Sequence, residues 1–153
     1  MDNHLRKTQT HSPEETLQLG ANFASLVAPG SVLCFYGDLG AGKTTFIKGF
    51  IQRVTGGKNT KVTSPTFNYM NVYEGACSVF HFDLYRIQSE EEFCAMGFED
   101  FFYAGGICCI EWSEHIANIL PSNRVSITIN HLAEEVREIV IDHTKPMYEQ
   151  IIV

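Results

Sequence analysis

The segment Gly37-Asp38-Leu39-Gly40-Ala41-Gly42-Lys43-Thr44 constrains this chain more than any other. It fits the phosphate-loop pattern G-x-x-x-x-G-K-[ST] at every required position. An apolar run, Val32 to Tyr36, precedes it, and a helical pattern begins at Thr45. A strand therefore feeds a loop whose backbone amides turn inward around an anion. The next helix presents its positive end to the same anion. The loop glycines let the backbone approach phosphate with no Cβ in the way. Lys43 is placed to reach the outer phosphates and the Thr44 hydroxyl to ligate Mg²⁺. Asp38, Leu39, Gly40, Ala41, Gly42 and Thr45 supply the rest of the cradle.

A length of 153 residues with 44% hydrophobic content suits one domain with one real core. The net charge of −7 argues against a broad electrostatic grip on nucleic acid, which needs a basic face. An acidic chain can still serve RNA chemistry through a partner that does the gripping. No apolar run reaches the roughly 18 residues of a membrane span. The start of the chain lacks the apolar core of a secretion signal. The five cysteines include no C-x-x-C pair, and three lie in apolar runs. Buried, reduced thiols are the expectation, and with them a cytoplasmic location.

Residues 1–11 read as a loose arm. Ser12-Pro13-Glu14-Glu15 opens a helix with a capping box, and Pro29-Gly30 ends it. The run from Val32 to Tyr36 is a strand covered on both faces. Phe46, Ile47, Phe50, Ile51 and Val54 recur at helical spacing until Gly56-Gly57. Phe67–Tyr73 and Ser78–Leu84 read as a hairpin around Glu74-Gly75. Ser89 caps a short helix, and Gly97–Phe102 suits another. Ile107–Ile110 is a buried strand, followed by a short helix that Ser113 caps. Alternation over Val125–Ile129 and Ile139–Ile141 marks two antiparallel strands with one wet face. Residues 144–153 form an uninterpreted tail. The fold class is α/β: a P-loop NTPase-like mixed sheet flanked by helices in three layers.

Nucleotide hydrolysis needs more than a cradle. It needs a carboxylate at the end of a neighbouring buried strand to hold the metal shell or order water. Asp83 and Glu111 both stand at the C-terminal ends of apolar strands, where open α/β sheets bind ligands. A bare carboxylate there is costly unless a cation compensates it. Lys43, Asp83 and Glu111 are therefore the candidate catalytic residues, and Thr44, Glu111 and Asp83 the candidate metal ligands. A salt bridge from Asp83 to Arg86 is the structural alternative. Thr63-Ser64-Pro65-Thr66 lies where phosphate-loop proteins often sense the γ-phosphate through hydroxyls. Trp112, the only tryptophan, follows Glu111 directly and suits nucleotide packing, partner docking or core filling. His81 and Tyr85 face away from Phe82 and Leu84 on the same run. Arg53, Arg86, Arg124 and Arg137 are candidate arginine fingers with nothing to separate them.

Four segments in this order and spacing, Gly37–Thr45, Ser64-Pro65-Thr66-Phe67, His81-Phe82-Asp83-Leu84-Tyr85-Arg86 and Ile110-Glu111-Trp112, resemble the bacterial TsaE family. The resemblance runs from about Ser12 to Ile141. It implies a small ATPase of the tRNA threonylcarbamoyladenosine pathway, using ATP and Mg²⁺. It implies TsaD-like and TsaB-like protein partners, with tRNA met only through their complex and no membrane association. Hydrolysis would reset that complex rather than transfer the carbamoyl group. By the same resemblance Ser64 and Thr66 form a switch-like loop, and Tyr85, Arg86 and Trp112 face switch or partner. The family approaches adenine near Thr10. Two other readings remain: a nucleotide-dependent binding switch with little useful hydrolysis, and a small-molecule kinase.

Overall fold

The computed structural model describes residues 5–57, 60–65 and 67–143. Seven strands form one sheet: β1 (Leu5–Thr10), β2 (Val32–Tyr36), β3 (Met70–Tyr73), β4 (Val79–Asp83), β5 (Ile107–Glu111), β6 (Val125–His131) and β7 (Arg137–His143). Their spatial order is β1-β7-β6-β2-β5-β4-β3. The central four, β6, β2, β5 and β4, run parallel, and antiparallel strands extend both sides. The expected mixed α/β sheet is therefore present.

Strand β2 alternates its side chains between two cores. Leu33 and Phe35 face α1 (Pro13–Ala24) and α2 (Lys43–Thr55). Val32 and Cys34 face an aromatic cluster with Phe82, Phe93, Phe98 and Phe102. Burial on both sides explains why β2 lacks polar positions. The second face is covered lightly, by the short helix α3 (Glu90–Ala95) and 3₁₀ turns at Phe98–Tyr103 and Ser113–Ile116.

Both capping serines behave as expected. The Glu15 amide donates to Ser12 Oγ at 3.1 Å, and the Glu92 amide to Ser89 Oγ at 3.1 Å. The returning carboxylates reach one residue further back than a capping box requires. Glu15 accepts from the His11 amide and Glu92 from the Gln88 amide. Helices α1 and α2 cross at glycines. A Cβ on Gly20 would lie 2.0 Å from the Phe46 carbonyl oxygen, and one on Gly49 would lie 1.9 Å from that of Leu17.

Several expectations need correction. Residues 5–10 are no loose arm but the edge strand β1, paired antiparallel with β7 from Leu5↔Asp142 to Thr10↔Arg137. Their mixed polar sequence hid this, because an edge strand with two wet faces shows no alternation. Strand β3 begins at Met70, not Phe67. The hairpin connection spans residues 74–78 rather than two residues. Ser113 does not cap: its hydroxyl donates to the Ile110 carbonyl at 2.7 Å, and Trp112 holds the cap position.

Candidate functional site

The site lies at the C-terminal ends of β2, β4 and β5. Gly37 leaves β2 at φ +135°, and a Cβ there would meet the Ile129 carbonyl oxygen at 2.4 Å. Only glycine lets the loop turn so tightly against β6. Gly42, at φ +106°, then hands the chain to α2, which opens with Lys43 and Thr44. Ala41 is buried, its amide donating to the Asp38 carbonyl at 3.1 Å.

A cavity of about 360 Å³ opens at this loop. Leu39, Gly40, Gly42, Lys43, Thr44 and Thr45 line one side. Ser64, Asp83, Tyr85, Arg86, Glu111 and Trp112 line the other. Segments far apart in sequence thus meet around one space. Of the other expected residues, Asp38 and Ala41 shape the loop without lining the cavity, and Thr66 lies outside the described residues.

At its centre the Thr44 hydroxyl donates to Glu111, at 3.2 Å to Oε1 and 3.4 Å to Oε2. Adjacent ligands of an octahedral Mg²⁺, each about 2.1 Å from the ion, lie roughly 3 Å apart. The hydroxyl and carboxylate therefore fit a shared cation. Asp83 faces Glu111 across the β4–β5 pairing. Its Oδ2 accepts from Ser64 Oγ at 2.6 Å and its Oδ1 from the Tyr85 amide at 3.0 Å. No Asp83–Arg86 salt bridge forms among the described residues; the Arg86 guanidinium sits 5.6 Å from the Phe67 ring centroid. No group of three His, Cys, Asp or Glu converges among the described residues. Any cation here would draw its remaining ligands from water and phosphate, as Mg²⁺ commonly does.

Lys43 folds back on its own loop. Its Nζ donates to the Gly37 carbonyl and lies 3.8 Å from the Trp112 ring centroid. Burial pushes its pKa down, while Glu111, Glu114, Asp83 and Asp38 pull it up. Trp112 holds this position from a left-handed backbone, φ 60°. Strain of that kind in a non-glycine residue collects at ligand sites. The indole also packs against Tyr85 at 5.0 Å and His115 at 5.9 Å.

Two features escaped sequence reasoning. His81, fully buried, contacts Glu111 at 2.6 Å. Its signal was a polar residue amid Val79, Phe80 and Phe82, on the strand face shared with Asp83. Arg137 stood only among the four candidate fingers, with no local signal for a structural contact. Its Nε donates to the Ala41 carbonyl at 2.9 Å, binding the β6–β7 hairpin to the phosphate loop. A second cavity, about 270 Å³, opens there between Pro13, Thr16, Gly42, Thr45, Glu134 and Arg137. Thr10 supports its wall through a 2.7 Å hydroxyl contact with buried Thr16. Arg86 is the only one of the four candidate finger arginines that lines the phosphate-loop cavity. No helix of the described residues is long and apolar enough to cross a membrane.

A family model described as Threonylcarbamoyl adenosine biosynthesis protein TsaE matches residues 10–139. The chain is similar to the tRNA threonylcarbamoyladenosine biosynthesis protein TsaE of Bacillus subtilis, at 38% identity over 146 residues. That match covers 95% of this chain and 90% of the relative. The protein of the same name from Treponema pallidum is 38% identical over 132 residues, covering 86% and 96%. A crystal structure of Bacillus subtilis YdiB superposes with a TM-score of 0.77 at 33% identity, covering 97% and 91% of the two chains.

Proposed function

Given that the chain belongs to the TsaE family, we propose that it is a Mg²⁺-dependent ATPase serving tRNA threonylcarbamoyladenosine modification. TsaD- and TsaB-like proteins would be its partners, with tRNA reached only through their complex. The observation that carries this reading is the meeting of Thr44 and Glu111 at 3.2 Å over the phosphate loop. That pair has no evident purpose in a glycine-rich turn that binds nothing.

The triphosphate would occupy the larger cavity, against the loop amides at the N-terminus of α2. The nucleoside would extend into the second cavity, since Gly40, Gly42 and Thr45 line both. Lys43 would leave the Trp112 face to meet the outer phosphates. Thr44 and Glu111 would hold Mg²⁺, which neutralises charge on the phosphate oxygens. Asp83, held by Ser64 and the Tyr85 amide, would order the attacking water. Arg137 is already engaged with the loop backbone, and Arg124 with the Pro121 carbonyl. Neither is free to serve as a finger, which leaves Arg86, at the cavity, as this chain's own candidate; hydrolysis would stay slow until a partner completes the site. Turnover would then reset the partner complex.

Glu111→Ala tests the reading. The expected result is turnover reduced at least ~100-fold with nucleotide affinity in EDTA retained in calorimetry. Absence of any heat with Mg-ATP in the unaltered protein would refute it. Unchanged pathway activity in the variant would favour a binding switch without useful hydrolysis.

A further inference from the structure

We propose that His81 is a positioning residue that holds the Glu111 carboxylate in its cation-binding orientation. The proposal rests on the reading of Glu111 as a cation ligand. His81 lies on β4 and Glu111 on the adjacent parallel strand β5. Register pairs His81 with Cys109, so the imidazole reaches along the sheet toward its ligand-binding end. Nε2 stands 2.6 Å from Glu111 Oε2. With Glu111 read as a cation ligand, its carboxylate is the acceptor and Nε2–H the donor. The separation is that of a strong, charge-assisted bond.

The rest of the ring argues against simple core filling. His81 is fully buried, and its Nδ1 has no hydrogen-bond partner among the described residues. A buried polar atom without a partner is costly. Simple packing on the Val79 face of β4, opposite Phe80 and Phe82, would be served better by an apolar side chain. Among the described residues, the contact with Glu111 is the one hydrogen bond through which the ring offsets that cost.

The consequence falls on the carboxylate. A glutamate at the end of a strand can swing through several rotamers. His81 holds Oε2 at 2.6 Å and leaves Oε1, without a histidine contact, as the oxygen nearer the Thr44 hydroxyl, at 3.2 Å against 3.4 Å for Oε2. The oxygen that would meet the cation is thus fixed before the cation arrives. Groups that orient metal ligands in this way are commonly worth 10–100-fold in metal affinity.

Two amide variants provide the test, because both keep a buried polar group of similar size. In His81→Gln the side-chain nitrogen reaches near the position of Nε2; in His81→Asn it falls short. Calorimetry with a non-hydrolysable ATP analogue is run in EDTA and across a Mg²⁺ series. The expected result is unchanged affinity in EDTA for both variants. The tightening that Mg²⁺ produces should fall about tenfold in His81→Asn and stay near its original size in His81→Gln. Retention of the full Mg²⁺ effect by His81→Asn would overturn the proposal. So would equal loss in both variants while they melt like the unaltered protein, or an equal fall of the EDTA affinity. No Mg²⁺ effect in the unaltered protein would instead remove the premise about Glu111, and this proposal with it.

Discussion

Alanine at Gly20 or Gly49 tests whether the α1–α2 crossing is set by backbone contact. A Cβ on Gly20 would stand 2.0 Å from the Phe46 carbonyl oxygen, and one on Gly49 would stand 1.9 Å from that of Leu17. Carbon and carbonyl oxygen rest at about 3.3 Å or more, so the helices must part by roughly 1.3 Å. The obstacle is backbone, which cannot rotate aside. Overpacking of this kind costs about 1–3 kcal/mol. Alanine recovers ~0.5–1 kcal/mol over glycine within a helix. At the midpoints of the two ranges the clash wins, leaving a net loss of about 1 kcal/mol. For a chain of this size that lowers Tm by roughly 2–4 °C. Thermal unfolding followed by circular dichroism reads it directly. The double variant should lose less than the sum of the two, because one separation relieves both clashes. Either single variant melting at or above the parent would refute the argument, since helix propensity alone gives that result. The same displacement would move Pro13 and Thr16, so Mg-ATP binding should weaken more than Mg-tripolyphosphate binding.

Two further outcomes follow from the site and the core. Trp112 is the only tryptophan and carries the Lys43 ammonium 3.8 Å from its ring centroid. Mg-ATP should change its emission, and Lys43→Gln should shift the free protein toward the same value; emission identical to the free parent would contradict the contact. Burial pushes the Cys34 and Cys108 thiols up to about 12 and Cys109 well above 9.0. At pH 8 a thiol reagent should therefore reach no more than Cys77 and Cys94 before unfolding, and labelling of a third cysteine in the folded protein would count against it. The folded values exceed the unfolded ones. This stabilisation is accordingly intact below pH 9.0 and declines as pH climbs toward 12.

The phosphate loop, its flanking strand and helix, and the two strand-end carboxylates were legible because each depends on local pattern. Val32–Tyr36 is apolar at every position, and its boundaries match β2. Asp83 and Glu111 end apolar runs, and those runs are adjacent in the sheet. What stayed hidden depends on partners distant in sequence. Strand β1 carries Leu5-Arg6-Lys7-Thr8-Gln9-Thr10, which becomes a strand only because β7 offers it an edge. Arg137 reaches a carbonyl 96 residues away. No simple apolar stripe marks the buried face of α1. The buried helical positions are Thr16, Gly20, Phe23 and Ala24, because glycine and threonine are not counted as apolar yet face α2 and β1. His81 was visible as an anomaly, but its role required knowing which strand lay beside it.

The pairing of β1 with β7 bears on how this protein should be handled at the bench. Trimming to residue 10, where the family-model match begins, would strip the outermost ribbon from the sheet. The backbone groups of Arg137–His143 would then be bare along one side. A naked rim of that kind recruits other chains and invites aggregation. Residues 5–10 are therefore better treated as a built-in guard rail, and affinity tags belong ahead of Leu5 rather than in its place.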